Sequence, residues 1–362
     1  MRIVRIISKI LFPLLAAVAT GCSEPNPGMS PGNTEYADYF DIVQEDSIVG
    51  VVTVSPSTSQ SDTLWVDSPM DEIICMSTSH VAALSAIDAL SAVKAVSGLR
   101  YISDSALDRN TVADIGYDAA LDYETVLKIS PDLLVTYAVD GAEPAYIRKL
   151  RSLGVRTLIL NEHLENHPLA RAEYVRLFGV LTGRQHLADS VFSEVRDRYL
   201  ELAASVDGSE SVKVLINIPY GDAWFIPGKE GYMSRLVEDA GGEILGSPSG
   251  TAVSDVITLE KAYEYSMDAD LWLNPGPCSS REELVQAHHM FSRFHPLADD
   301  LPIYNNIRCV NEGGGNDFWE RGAIRPDLIL QDLIHIFAHA KGDILNEKED
   351  SPEENLLFHI AL

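Results

Sequence analysis

HLADSVFSEVRDRYLELAASV, His186 to Val206, reads as one uninterrupted helix near the middle of the chain. Leu187, Val191, Val195, Tyr199 and Leu202 recur at steps of four and three, the helical period, with Asp189, Glu194, Arg196, Asp197, Arg198 and Glu201 between them. At about 1.5 Å per residue such a rod spans roughly 30 Å, enough to reach from one lobe to another. Gly183 stands before it and Asp207-Gly208 after it, both helix punctuation. The stretch predicts a stiff connector at residues 185–206 with an α/β lobe on each side.

Upstream, residues 71–184 alternate strand and helix: EIICMS, HVAALSAIDAL, AVSGL, a loop holding Arg100-Tyr101, a short helix from Asp122 to Ile129, PDLLVTY, EPAYIRKLRSLG and VRTLIL. Pro168 opens a further helix that hands over to the connector. Downstream, residues 207–340 repeat the alternation, from SVKVLINI through LEKAYEYS, ADLWLNPG and IYNNIRCV to a last helix at about Pro326 to His339. Strands separated by single helices imply crossover connections, so each lobe is expected to be doubly wound around a largely parallel sheet. The lobes also echo each other. Leu121-Asp122-Tyr123-Glu124 leads to Ser130, and Ile257-Thr258-Leu259-Glu260 leads to Ser266, each pair keeping the offset 260 − 124 = 136. Each lobe thus carries a glutamate in the first turn of a short helix running into a strand.

Residues 36–70 hold short strand-like runs and predict a β-hairpin appended to the first lobe. The tail, 341–362, ends in NLLFHIAL, a candidate further strand for that hairpin.

The first 21 residues follow a different logic. Arg2, Arg5 and Lys9 precede an apolar run and small residues, the pattern of a secretory signal, and Val18 to Cys22 resembles a bacterial lipobox with Cys22 as the lipidated residue. Residues 22–35, rich in Pro, Gly and Ser, read as a tether. The chain carries 27 basic and 54 acidic residues, and removing the signal changes its net charge from −27 to 24 − 54 = −30. A nucleic-acid binder is expected to carry the opposite sign. Such acidity favours a soluble monomer, held to a membrane through the lipid alone. Of the remaining cysteines, Cys278 and Cys309, near strand ends, are the better candidates for a disulfide in an oxidising compartment, while Cys75 sits in an apolar run.

A lipoprotein start, two α/β lobes and one long connector, with LDYETVLKISPDLLV, VITLEKAYEYSMDADLWL and DFWERGAIRPDLIL in that order, resemble the substrate-binding proteins of bacterial ABC importers. The resemblance is to the helical-backbone class serving ferric siderophores, haem and cobalamin, and it covers about Glu72 to His339. It implies a periplasmic, lipid-anchored binding protein without resident cofactor, whose partners are a small-molecule metal complex and a permease dimer with its ATPase. It also implies that Glu124 and Glu260 dock onto the two permease subunits.

Ligand is then expected between the lobes, beyond the carboxyl ends of the strands. Ser77, Thr78, Ser79 and His80 follow the first strand and open a helix, so their hydroxyls and N–H groups suit an anionic or carbonyl group. Arg100 and Tyr101 follow the second strand. Tyr220, Trp224, Asn316, Trp319 and Arg321 come from loops of the second lobe, where aromatics suit the walls of a large, flat ligand. Phe225 and Phe318 are expected to pack under their own loops.

Other classes find less support. A metal-ion binder needs His, Asp or Glu ligands converging on one site, and His335, His339, His288, His289 and His295 read as solvated helix residues. A two-lobed enzyme is a further class, but GxGxxG after the first strand, GxxxxGK[ST] and HExxH are missing, and GxSxG occurs only within the tether, at residues 28–32. A surface lipoprotein binding a protein partner through its N-terminal strands is the third.

Overall fold

The computed structural model describes residues 34–117, 120–139, 143–208, 210–342 and 356–362. The signal segment, Cys22 and nearly all of the tether lie outside these residues, as does 343–355 of the tail.

Three strands open the described chain: β1 (Phe40–Glu45), β2 (Ile48–Val54) and β3 (Ser61–Val66), an antiparallel meander in which the expected hairpin gains a third member. The first lobe follows as β4 (Ile73–Cys75), α1 (Thr78–Ala86), β5 (Val93–Val96), β6 (Ala113–Asp114), α2 (Tyr123–Ile129), β7 (Leu133–Tyr137), α3 (Ala145–Ser152) and β8 (Thr157–Leu160). Its strands pair in parallel in the order β6-β5-β4-β7-β8. The uninterrupted apolar runs, such as LLVTY with four of five residues buried, are what a parallel sheet covered on both faces requires.

Two helices join the lobes, α4 (Pro168–Thr182) and α5 (Gln185–Ser205). The predicted connector is α5, but its buried stripe is Ala188, Phe192, Val195 and Tyr199, and Leu187 faces solvent. The face is rotated from the predicted one because α5 packs back along α4. Gly183, left-handed at φ 70°, ends α4 and turns the chain. Gly179 lets the pair close: a Cβ there would stand 2.5 Å from that of Ala188. α4 is buried nearly all round, so it is the spine and α5 the outer strut.

The second lobe runs β9 (Val212–Ile216), β10 (Trp224–Ile226), α6 (Tyr232–Asp239), β11 (Gly242–Ile244), β12 (Asp255–Ile257), α7 (Leu259–Ser266), β13 (Leu271–Leu273), α8 (Arg281–Ala287), α9 (His295–Ala298), β14 (Ile303–Asn305), α10 (Arg321–Ile324), α11 (Pro326–Ala340) and β15 (Ile360–Ala361). The sheet order is β11-β9-β13-β14-β15, and β10 with β12 forms a separate two-stranded ribbon. The tail therefore does not join the N-terminal strands. β15 pairs antiparallel with β14, drawn there because Asp332 on α11 accepts the N–H groups of Leu357, Phe358 and His359 at 2.9, 2.8 and 3.2 Å.

The duplication read from Glu124 and Glu260 extends to the start of the sheets. The Asp132 amide donates to Glu72 O and its carboxylate accepts Glu72 N, while Asp270 does the same with Lys213, each aspartate tying the start of its own strand to that of the neighbouring one. The N-terminal extension is fixed by buried carboxylates on and before α4. Glu173 accepts the N–H groups of Glu35, Tyr36 and Ala37 at 2.7 to 3.0 Å, and Glu165 accepts those of Asp38 and Tyr39 and the Tyr174 hydroxyl. Burial pushes the Glu165 carboxyl up to about 7, even though those amides favour its charge.

Candidate functional site

In the first lobe the carboxyl ends of β4 and β8 meet. The Ser77 and Ser79 hydroxyls are 2.7 Å apart, Ser79 donates to Glu162 Oε1 at 3.0 Å, and His80 Nε2 lies 3.1 Å from the same oxygen. Burial would raise the Glu162 carboxyl, but the charge and hydrogen bond of His80 hold it at about 2. His80 is thus no cleft-mouth ligand. It is 1% exposed beneath Phe178, because the helical period of α1 turns it inward and Glu162 satisfies it there. Thr78 lies half-buried in the first turn of α1, and the hydroxyls expected to meet an anion serve this carboxylate first.

Arg100 lies over the Tyr101 ring, 4.5 Å from its centre, and its guanidinium donates to the Tyr101 hydroxyl. This exposed pair sits where the lobes touch. Gly313 and Gly315 back onto it so closely that a Cβ would stand 2.1 Å from Arg100 O and 1.8 Å from Tyr101 O, so the glycine run is a steric requirement. Asn311 Nδ2 donates to Ile102 O at 3.0 Å, and the Glu320 carboxylate accepts Ser103 N at 2.7 Å and Asp104 N at 2.9 Å. Glu320 thereby latches one lobe to the other. Burial raises its carboxyl to about 7, against the lowering pull of those two amides.

The second lobe supplies a cavity of about 530 Å³ at the carboxyl ends of β9, β13 and β14. Asn217, Asn274 and Asn306, each directly following a strand, line it with Asn316; Met233, Val310 and the half-exposed Trp319 form its apolar wall. Asn316 is braced, donating to Asn306 O at 2.9 Å and accepting Phe318 N at 3.0 Å. Tyr220, 87% exposed, stands on the loop between β9 and β10.

Two expected site residues point elsewhere. Trp224 is fully buried, stacked near Trp272 and Phe294 with its Nε1 donating to Ile216 O, whereas Phe225 faces solvent. The alternation of β10 puts its even positions on the core, the reverse of the expected pair. Arg321 pairs with Asp317 at 2.7 Å and lines a different cavity, of about 460 Å³, between α1, α5 and α10. Phe318 is buried as expected.

The disulfide is also corrected: among the described residues Cys278 and Cys309 are free thiols, as is Cys75. The Cys278 carbonyl accepts Asn305 Nδ2, and the Cys309 thiol donates to Leu357 O on the tail, so each is held by its own neighbours. His339, expected to be solvated, bonds the Tyr304 hydroxyl at 2.8 Å. Among the described residues no group of three or more His, Cys, Asp or Glu is arranged to hold a metal ion.

Sequence reasoning missed Arg171 on α4, which donates to His163 O at 2.8 Å and lies 3.7 Å over the Tyr232 ring of α6, bridging the spine to the second lobe. It also missed the asparagine floor. The available signal was an Asn immediately after three successive apolar strands, VLIN, LWLN and IYNN.

Glu124 and Glu260 are both exposed in the first turns of α2 and α7, behind the N-caps Asp122 and Thr258. Its own backbone N–H and the Thr258 hydroxyl lower the Glu260 carboxyl.

Two parallel-sheet lobes of one design, joined by a helical spine and carrying a cavity at the carboxyl ends of the strands, define a two-lobed binding protein. A periplasmic binding protein family model matches residues 73–299, and the chain belongs to that family, one of substrate-binding proteins and not of enzymes. The fold is shared with a periplasmic binding protein from Veillonella parvula (TM-score 0.61, 12% identical, covering 79% of this chain and 97% of that one). It is shared too with the periplasmic heme-binding protein RhuT of Roseiflexus sp. RS-1 in apo form (0.58, 16%, 75% and 98%). The periplasmic vitamin B12 binding protein BtuF of Vibrio cholerae is a third such neighbour (0.56, 13%, 75% and 98%). An uncharacterized lipoprotein of Methanocaldococcus jannaschii is 25% identical over 290 residues, 75% of this chain, and the match spans 66% of that relative's length.

Proposed function

We propose that this protein captures a metal complex, a ferric siderophore, haem or a cobalt corrinoid, between its lobes and delivers it to an ABC permease dimer. The observation that carries the reading is the duplicated glutamate-bearing helix, one exposed copy per lobe, on a body whose strands end at a cavity. Two carboxylates on two lobes suit two basic pockets on a two-fold partner, and rim charges steer docking. Lipidation at Cys22 would hold the protein in the periplasm at a membrane surface, working as a monomer.

The test is an absorbance spectrum of the full chain as purified, followed by thermal shift with haem, cobalamin and several ferric siderophores. Porphyrin or corrinoid absorbance, or one compound raising the melting temperature without being consumed, supports the reading. A colourless protein that no compound stabilises overturns it, and turnover of a compound moves the protein to the enzyme class.

A further inference from the structure

Resting on the reading of the cleft as the ligand site, we propose that its second-lobe half selects an uncharged ligand bearing amide groups. Among the residues that line the 530 Å³ cavity there is no Asp, Glu, Lys, Arg or His, in a chain whose net charge is −27. Its polar groups are carboxamides. Asn274 is only 9% exposed, yet its Oδ1 has no hydrogen-bond partner among the described residues. Asn217 commits Nδ2 to Phe225 O, leaving its carbonyl oxygen to receive a donor. Both residues hold positive φ, 67° and 54°, a region that few residues other than glycine enter without cost. Their backbone amides continue the sheet to Leu273 O and Tyr304 O, so the strained geometry is held in place and the side chains are fixed at the strand ends.

A buried carbonyl oxygen without a partner asks for an N–H or O–H donor. A ligand amide supplies one, and its own carbonyl can accept from an asparagine Nδ2, so each contact is satisfied at both ends without moving charge out of water. A ligand carboxylate entering the same floor finds only uncharged Nδ2 donors and no cation, so the desolvation of its charge is poorly compensated. Met233, Val310 and Trp319 add an apolar wall for the face of a large ring or the flank of a cyclic peptide.

The experiment titrates the full chain at pH 7.5 with a matched pair, dicyanocobinamide, whose ring periphery carries amides, and dicyanocobyrinic acid, the same ring carrying carboxylates. Ferrichrome (uncharged, amide-rich) and haem (two carboxylates) complete the set, and quenching of tryptophan emission reports binding beside Trp319. The amide corrinoid is expected to bind roughly 100-fold tighter than its carboxylate form, the scale of leaving one or two polar groups unpaired. Asn274→Asp and, as a second nearly isosteric variant, Asn306→Asp should each weaken the tightest uncharged ligand at least about tenfold, compared at a temperature where a cooperative melting transition shows both variants folded. The proposal also stands if ferrichrome is the tightest ligand. Equal or tighter binding of the carboxylate corrinoid, or haem as the tightest ligand, overturns it while leaving the importer reading in place. Failure of all four to bind overturns the proposal, and the importer reading falls with it only if the wider panel of cobalamin and several ferric siderophores fails as well.

Discussion

Strip the extra strand from each sheet and the lobes share one order: β5-β4-β7-β8 in the first matches β11-β9-β13-β14 in the second. The additions fall on opposite edges. β6 extends the first lobe beyond β5, and β15 extends the second beyond β14. The equivalent of β14 in the first lobe, β8, is covered differently: Arg156 just before it donates to Trp65 O in β3, and Asn161 just after it donates to Val54 O in β2. Both edges are thus closed by chain outside the 73–299 family match, the N-terminal meander on one lobe and the tail on the other. An open edge strand is a template for association, and the extensions remove two of them.

The carboxyl ends of the strands diverge more sharply. The first lobe puts Glu162 and His80 behind its serines and an arginine–tyrosine pair at its rim, whereas the second lobe presents carboxamides. One scaffold has been copied, and the strand ends, which bear little of the packing, have been free to differ.

The largest expected effect breaks the edge comparison. Asp332 accepts three backbone N–H groups and the His359 ring, all but the Leu357 amide fully buried, so Asp332→Ala leaves those donors unpaired and should cost about 3 to 5 kcal/mol in urea unfolding. It should also free the tail for proteolysis and promote self-association through β14. On the other lobe Asn161→Ala loses a single hydrogen bond and should cost about 1 kcal/mol without self-association. Equal costs would mean that the two edges are closed by devices of comparable strength, and the contrast between them would fail.

A smaller effect appears with pH. Glu165 and Glu320 both have carboxyls raised to about 7, one fixing the N-terminal extension and the other latching the lobes. In the unfolded chain each titrates near 4.5, so between pH 5 and 7 the folded state holds protons that the unfolded state has released. Stability from these groups is therefore full below the unfolded value and is lost as pH rises through 7, by up to about 1.4 kcal/mol per pH unit for each group. Glu320→Gln should flatten that slope and, by setting an NH₂ against Ser103 or Asp104 N–H, loosen the lobe contact. A slope unchanged in the variant would remove Glu320 from the account.

What could be read from the sequence followed the same division between scaffold and ends. Strand–helix alternation, the two glutamates and the connector are properties of long or repeated patterns, which survive local error. The buried role of α4 is harder to see, because Glu173 and Arg171 make it look half-polar; Glu173 is matched by the amides of residues 35–37 and Arg171 by the Tyr232 ring, all distant in sequence. Trp224 and Phe225 were exchanged because a three-residue strand has too short a period to declare its inner face. His80 was read from its position after a strand, and only the arrival of Glu162, 82 residues later, explains why it is inside. Asn217, Asn274 and Asn306 were passed over because asparagine after a strand normally marks a turn.

The smallest effect on stability carries the most weight for function. Glu124 and Glu260 are exposed, so replacing either with alanine should leave the melting temperature and ligand affinity unchanged. Their surroundings are not identical: Thr258 and the local backbone hold the Glu260 carboxylate in place, whereas Asp122 gives its own bonds to Thr125. If docking is two-fold, each single substitution should reduce uptake in cells and the double substitution abolish it, because each permease subunit loses its partner charge. If one glutamate merely decorates a helix terminus, its substitution will leave uptake intact while the other accounts for the whole loss. A parallel fall in ligand affinity would place that glutamate in the cleft, and the symmetry between the lobes would then stop at the fold.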